Sequence, residues 1–485
     1  MKPIYKITTA IIVLILATVA FKNFSNPFFW YDESGQFFIS KGLNHYSEPF
    51  AIPQGFDQVL ENNRNFNLDP GGFSFLLYFW SMVSNSAGFL RVLPFLFFCG
   101  FIIFAYKIVF FETKDKTIST VLTSVLTVSF FILSTMLRAY SAEICGVTVC
   151  TYLVLTLKNN QRPKRLIIYG LLTAFFCWTR YDFIVFAFVA TLYIAYTLLK
   201  SNDVKTFLTK SACFSLPVLI SVIGTYLVTM RFQNPYAGNI GYSTYISTTP
   251  SVLYSSPLLL AFYVISGYAV YKKTKEKTVP DLVVLSFSVM SLYVVLSALN
   301  MFPIDVMRTT SATVLIHTVL MTEFIKTVKG KFILPIGILS AVYAVVLFAV
   351  LNFFSFFDLL GITQMRELMA FKETNKTDKV FVSFYENPDV RYVFEYGKYK
   401  DKQKEYGYPE KFYFQKGPVH SFLAEDKKVI KAEEIECDTY LLMPALFSLG
   451  VGTDGKPNLN IFDNISRTIE CFEKVDGYDF LYRKK

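Results

Sequence analysis

"GFSFLLYFWSMVS", residues 72–84, is the stretch on which the arrangement of this chain turns. It is apolar and aromatic but only 13 residues long, whereas a helix needs about 20 apolar residues to cross a bilayer core of about 30 Å. If it crossed, every lysine-rich loop after it would fall on the wrong side, because basic residues collect in cytoplasmic loops. It is therefore expected to be a short helix lying in, or dipping into, the outer interface.

Outward from that stretch the composition is one built for lipid. The 485 residues are 53% hydrophobic and only 17% charged, and apolar runs of spanning length recur from residue 4 almost to residue 354. From about residue 357 the chain is charged and broken by Gly and Pro, so residues 1–356 read as a transmembrane domain and residues 357–485 as a small soluble α/β domain. The net charge of +10 would suit nucleic acid if it gathered on one face, but it does not. The basic residues sit between apolar runs in "KIVFFETKDK", "KNNQRPKR", "KSNDVKTFLTK", "KKTKEK" and "KTVKGK", which is a topology signal that argues for membrane lipids and against nucleic acid as partner. The alternate connections, near residues 138–143, 180–182, 231–256 and 300–308, are poorer in Lys and are expected outside. The expectation is a polytopic α-helical protein of the plasma membrane with about eleven spans, a cytoplasmic N-terminus and an extracytoplasmic C-terminal domain.

Smaller features fit that plan. The run over residues 7–21 resembles a signal peptide, but Asn23, Phe24 and Pro27 follow it where a small-residue cleavage site would stand, so it reads as a retained first span. Cys99, Cys145, Cys150, Cys177 and Cys213 lie in or beside apolar runs and pack as small hydrophobes. Cys437 and Cys471 remain as a pair for the soluble domain, either as a disulfide or as two buried thiols. That domain is expected to hold a helix over residues 363–374 and strands at "KVFVSFY", "RYVFEY", "TYLLMPA" and "YDFLYRK", with no nucleotide-binding glycine pattern.

The same topology puts Asp32, Glu33, Asp69, Arg138, Arg180, Asp182, Arg231 and Arg308 on one face of the membrane. The first outer loop, residues 22–71, is long and carries its own amphipathic pieces, which is usual for a functional loop. Within it "WYDESGQFFISKGL" holds an adjacent acid pair and "NLDPGGFSFLLYFW" an acid before proline at the head of the short aromatic helix.

These motifs resemble the lipid-linked-sugar-dependent glycosyltransferases of the C-type superfamily, in particular the protein O-mannosyltransferase and aminoarabinose transferase branch. Asp32 and Glu33 match that family's acid pair after the first span, and Asp69-Pro70 matches its second motif, with Asp standing where His or Glu is usual. "LRVLPFLFFCGFIIFAY", "LRAYSAEICG" and "VMRTTSATVLI" resemble its later segments, Thr309 replacing the Tyr after Arg308, and "MRELMAFKETNKTDKVFVSF" resembles the opening of its soluble domain. The resemblance implies a polyprenyl-phosphate-linked sugar as donor, a glycan, lipid or protein as acceptor, and no nucleotide cofactor.

Chemistry gives the acids a reason of their own. Polyprenyl phosphate leaves readily as an anion, so a single base on the acceptor and positive charge near the phosphate suffice, unlike a glycosidase with its second carboxylic acid. Asp32 is the expected base, with Glu33 and Asp69 crowding it. Arg138, Arg180 and Arg308 are the expected phosphate clamp, because guanidinium grips two phosphate oxygens at once. A divalent cation on Asp32 and Asp69 is compatible with the same site.

Read singly, each residue has a plainer account. Asp32 and Glu33 suit the start of a helix near Ser34, and Asp69 suits a helix start before Pro70. The outward arginines suit snorkelling, and Arg180 with Asp182 a local ion pair. His45 reads as an interfacial residue and His317, inside a span, as a packed or hydrogen-bonded core residue, although ionisable groups at that depth are often functional; His420 receives no role. A transporter or flippase of lipid-linked saccharides is the rival reading; it would place ionisable groups at mid-membrane in repeated halves, and no convincing repeat is found.

Overall fold

The computed structural model describes residues 3–44, 47, 50–67, 69–157, 160–232, 267–268, 280–298, 310–327, 334–338, 341–342, 344–346, 362–377, 380–381, 387–402, 405, 414–415, 421–423, 429–431, 437–442 and 472–485. Arg308, His45, His420 and Cys471 lie outside the described residues, as do most of the loops at 231–256, 272–277 and 300–308 and the side chain of His317.

Fourteen helices are used below: α1 (Pro3–Ser25), α2 (Tyr31–Ser40), α3 (Phe56–Phe66), α4 (Gly72–Ser81), α5 (Ala87–Thr113), α6 (Lys116–Phe130), α7 (Tyr140–Leu157), α8 (Pro163–Cys177), α9 (Tyr181–Ser201), α10 (Val204–Val228), α11 (Asp281–Ala298), α12 (Thr310–Thr327), α13 (Ile362–Asn375) and α14 (Asn387–Glu395). Among the described residues five helices are long and apolar enough to cross a membrane: Ala87–Thr113, Lys116–Ser134, Tyr140–Leu157, Tyr181–Ser201 and Val204–Phe232. Shorter apolar helices occur at Thr9–Ser25 and Asp281–Tyr293. Within residues 72–84 the chain forms the ten-residue helix α4, too short to cross.

The chain separates into two compact units. The first comprises Met1–Phe21, Leu60–Leu76 and Val92–Val346. Its helices alternate in direction, so its connections sort to two ends. At one end Asp115 caps α6 by accepting from Thr117 N at 2.7 Å, Gln161 meets Ser201 and Asn202, and Lys326 pairs with Glu112 at 2.6 Å. These are ordinary helix-end partners, and the described lysine-rich connections, within residues 107–116, 160–165 and 200–210, lie at this end. At the other end the α6–α7 and α8–α9 connections carry Arg138 and Arg180.

The second unit comprises Lys22–Val59, Leu77–Arg91 and Leu347–Lys485. Its strands are β1 (Val380–Phe381), β2 (Phe414–Gln415), β3 (Ser421–Leu423), β4 (Val429–Lys431), β5 (Tyr440–Leu442), β6 (Phe472–Lys474) and β7 (Leu481–Lys484). A four-stranded sheet runs β1-β5-β7-β6, with β1 parallel to β5 and the other pairs antiparallel; β2-β3-β4 form a second, antiparallel sheet. Helix α13 covers the larger sheet: the Glu367 carboxylate accepts from the backbone N–H groups of Asp479 and Phe480 at 3.0 and 2.7 Å.

Two local expectations are corrected. "RYVFEY", residues 391–396, was expected as a strand but lies mostly in helix α14. Asn-Pro-Asp opens that helix, as suits a first turn, and Arg391 and Glu395 pair at i,i+4 with Nε–Oε1 2.8 Å. The helix at the acid pair begins at Tyr31, not near Ser34, so Asp32 and Glu33 occupy its first turn.

Candidate functional site

In the first unit the "NLDPGG" segment is folded by its glycines. Gly71 has φ +101°, and a Cβ on Gly72 would stand 2.4 Å from the Trp178 carbonyl oxygen. That closeness lets Gly72 N–H donate to Trp178 O at 2.7 Å, docking the head of α4 on the α8–α9 turn. Asn63, wholly buried on α3, donates from Nδ2 to the Asp69 carbonyl at 2.7 Å and accepts at Oδ1 from Ser74 and Asn67. The backbone of Asp69 is therefore held by Asn63, three residues before the Gly72–Trp178 bond.

Its carboxylate meets two arginines. Arg138 Nη2 lies 3.7 Å from Asp69 Oδ2, and Arg180 Nε lies 3.6 Å from Asp69 Oδ1. Arg180, the residue before α9, also lies 3.2 Å from Glu143 Oε2 and 3.0 Å from Asp182 Oδ2, with its guanidinium over the Tyr140 ring at 4.4 Å. Burial alone would lower the Arg180 pKa, but Glu143, Asp69 and Asp182 outweigh it and hold the group charged well above its ordinary value. Arg138 keeps 16% of its side chain exposed, whereas Glu143 is 0% exposed. Arg231 stacks on Phe232 with the ring centre 4.5 Å away, and Arg64 stacks on the same ring at 4.4 Å.

In the second unit the two adjacent acids of α2 have different surroundings. Glu33 is buried and salt-bridged to Arg91 at 3.0 Å, and its carboxylate also accepts from Trp30 N–H, at 3.5 Å, at the mouth of the helix. Arg91 donates to the carbonyls of Asn23, Asn26 and Phe28 at 2.9, 2.6 and 2.7 Å, and from Nε to Glu33 at 3.4 Å. Asp32 is half-buried and makes no hydrogen bond or ion pair with a described residue. At Gly35, one turn on and on the same face, a Cβ would meet no described residue. At the far end of α2, Lys41 donates to Ser81 O at 3.2 Å, and burial holds its pKa down to about 8.

Of the residues singled out by sequence, Asp69, Arg138, Arg180 and Asp182 are brought together. Glu143, Arg91 and Asn63 went unassigned. Glu143 had a signal, five residues after Arg138 on the expected outer side; the partnership of Arg91 with Glu33 spans 58 residues and leaves no local trace.

A divalent cation does not fit these surroundings well. Among the described residues no group of three His, Cys, Asp or Glu side chains is placed to hold a metal. Asp69, one of the two expected ligands, turns both oxygens toward guanidinium nitrogens, so a cation there would meet two positive charges.

No protein-family model matches the chain, and no curated protein does. Among solved structures, the crystal structure of the Archaeoglobus fulgidus oligosaccharyltransferase in complex with Zn and sulfate is similar over 77% of this chain and 55% of that one, with a TM-score of 0.40 and 11% identity. The chain thus spans about half the length of that neighbour. A likeness so slight carries no argument about activity.

Proposed function

We propose that this protein is an integral membrane glycosyltransferase that moves a sugar from a polyprenyl-phosphate donor to an acceptor hydroxyl or amine on the outer side of the plasma membrane. The observation that carries the reading is the contrast within one helical turn. Glu33 is closed off by Arg91, while Asp32 beside it has no described partner and an open face at Gly35. A carboxylate so placed is suited to take a proton. The motif resemblance at Asp32-Glu33, Asp69-Pro70, Arg138 and Arg308 supports the same family of reactions.

In the proposed step the acceptor oxygen or nitrogen attacks the anomeric carbon of the sugar. The bond from that carbon to the phosphate oxygen breaks, its electron pair leaves with polyprenyl phosphate, and the acceptor proton passes to Asp32. No acid is needed for the leaving group. Its charge is met by arginine, with Arg138 the foremost choice because its side chain is more exposed than that of Arg180; Arg308 is the third member of the set. Asp69 would then hold Arg138 and Arg180 in place before the donor arrives. The acceptor is a glycan, a lipid or a protein, and the soluble domain assists its choice.

Asp32→Asn keeps the shape and removes the base. Purified protein in proteoliposomes, given a fluorescent polyprenyl-phosphate sugar and an acceptor extract, should release polyprenyl phosphate. The variant should release it at least a hundredfold more slowly, with donor binding retained. Near-normal release by Asp32→Asn would remove Asp32 from the mechanism. Donor crossing the bilayer with no release at all would favour the transporter instead.

A further inference from the structure

Helix α2 is ten residues long with a glycine in its middle, and helices that short do not hold themselves in water. Something else must fix the place of its first turn, where Asp32 stands. Arg91 does so through Glu33. A second hold comes from the C-terminal part of the same unit.

Helix α14 packs against α2 and also reaches the segment that follows it. Near the start, the Ser34 hydroxyl, two residues after Asp32, donates to the carboxylate of Asp389, itself 1% exposed. Past the far end, Arg391, also 1% exposed, donates from Nη1 to the carbonyls of Asn44 and Ser47 at 3.3 and 2.7 Å. Its guanidinium rests on the Phe38 ring at 4.6 Å and is aimed by Glu395, Nε–Oε1 2.8 Å. Between them Tyr392 packs its ring 4.2 Å from Phe29 and 5.1 Å from Phe37, and its hydroxyl donates to Asn85 O at 2.9 Å.

Two buried charged side chains on one short helix thus reach out to the loop that carries the acids. A covering domain needs only apolar contact to sit on its neighbour. Directed bonds to Ser34, Asn44 and Ser47 set the axial position and rotation of α2, which is what orients a carboxylate in its first turn.

We infer that α14 is the positioning element of the acid-bearing helix, with Asp389 and Arg391 as positioning residues that set where the Asp32 carboxylate stands. The inference rests on the reading of Asp32 as the base and adds a role for the C-terminal domain: it holds the catalytic loop as well as assisting acceptor choice. Loss of the Asp389–Ser34 bond lets α2 rotate or fray, so the base is displaced while the donor site is not.

The test uses the full-length protein and two independent readouts. Asp389→Ala should raise hydrogen–deuterium exchange over residues 31–40. It should also lower kcat by about tenfold to a hundredfold with donor KM within twofold. Asp389→Asn retains an oxygen for the Ser34 hydroxyl and should restore most of both. Ser34→Ala, a smaller change that does not depend on Asp389 variants folding, should reproduce the kcat loss. Unchanged exchange over residues 31–40 in Asp389→Ala overturns the proposal, as does a loss in Asp389→Asn equal to that in Asp389→Ala. The exchange readout does not involve Asp32 chemistry. Raised exchange together with normal turnover by Asp32→Asn would therefore leave the hold on α2 standing and defeat only the base.

Discussion

Arg91, in the unit that holds the acid pair, gives its guanidinium to one carboxylate and three backbone carbonyls. Arg180, in the helical unit, has three carboxylates within salt-bridge distance. The first arrangement engages every nitrogen of the guanidinium, both terminal ones on short, directed contacts of 2.6–3.0 Å, so it can give nothing to a ligand without breaking the chain path around residues 23–28. The second shares Asp69 between two arginines at 3.6 and 3.7 Å, beyond ordinary hydrogen-bond length. Long, shared contacts of that kind can be exchanged for a better-placed anion such as phosphate. Short contacts to carbonyls mark an arginine that builds the fold; long contacts to a shared acid mark one that can serve a substrate. Lys41 is a third case, a buried cation bonded to a carbonyl, with no carboxylate partner described.

The largest effect should come from breaking the first arrangement. Arg91→Met leaves Glu33 buried without its guanidinium and takes a donor from three carbonyls, of which that of Asn23 keeps the Asn26 N–H. Removing one member of a buried pair typically costs about 3–5 kcal/mol, so thermal unfolding of the purified protein should fall sharply. Adding Glu33→Gln should recover part of the loss, since the stranded charge is gone. An Arg91→Met protein as stable as the parent would show that this pair is no latch.

Lys41 should show itself through pH. Burial holds its pKa down to about 8 in the folded protein, against about 10.4 for an unfolded lysine. Between those values the unfolded chain binds a proton that the folded one has released, so this group makes stability rise with pH across that window and contributes no slope below it. The wild-type minus Lys41→Met difference in unfolding free energy should therefore climb from pH 8 to 10, by at most about 1.4 kcal/mol per unit. A flat difference would mean that Lys41 is solvated.

How much of this was legible in the sequence depends on the range of the signal. Shortness alone marked α4, and apolar spacing with a charged face marked α13 to within a residue or two. Strands β1, β5 and β7 fall inside runs read as strands. Residues 391–396 were misread because Tyr392, Val393 and Phe394 suit a strand, although Asn387-Pro388 and the Arg391–Glu395 spacing were there to be weighed against them. Asp69, Arg138 and Arg180 could be named because all three fall in loops on one expected face. The Glu33–Arg91 bond and the reach of Asp389 to Ser34 join residues 58 and 355 positions apart, and no periodicity or cap carries information over such separations.

The exchangeable arrangement should be far less sensitive in stability. Asp69→Asn keeps the side-chain volume and leaves the Asn63 bond to the Asp69 carbonyl intact, while Arg180 retains Glu143 and Asp182. Charge-assisted hydrogen bonds contribute about 1.5–3 kcal/mol, and contacts at 3.6–3.7 Å should contribute less than the lower figure. Under the proposed function turnover should nevertheless fall at least tenfold, because Arg138 and Arg180 lose the group that aligns them. Unfolding measured beside Arg91→Met decides the matter: equal losses in the two variants would erase the distinction between latch and exchangeable site.

The smallest effect concerns the open side of α2, opposite in character to the side closed by Arg91. Gly35 lies mid-helix, its φ is not in the left-handed region, and among the described residues a Cβ there would meet nothing within 4 Å. No described residue therefore requires glycine at this position. Alanine in a helix interior is favoured over glycine by about 0.8–1 kcal/mol, so Gly35→Ala should raise stability by roughly that amount. The added methyl stands on the Asp32 face, in the space an acceptor would occupy on its way to the base. Acceptor KM should accordingly rise severalfold while donor binding stays unchanged, which separates crowding at the base from any disturbance of the arginines. A more stable variant with unaltered acceptor kinetics would mean that the open face beside Asp32 is not the route of the acceptor, and the base would then have to be sought among the acids of the helical unit.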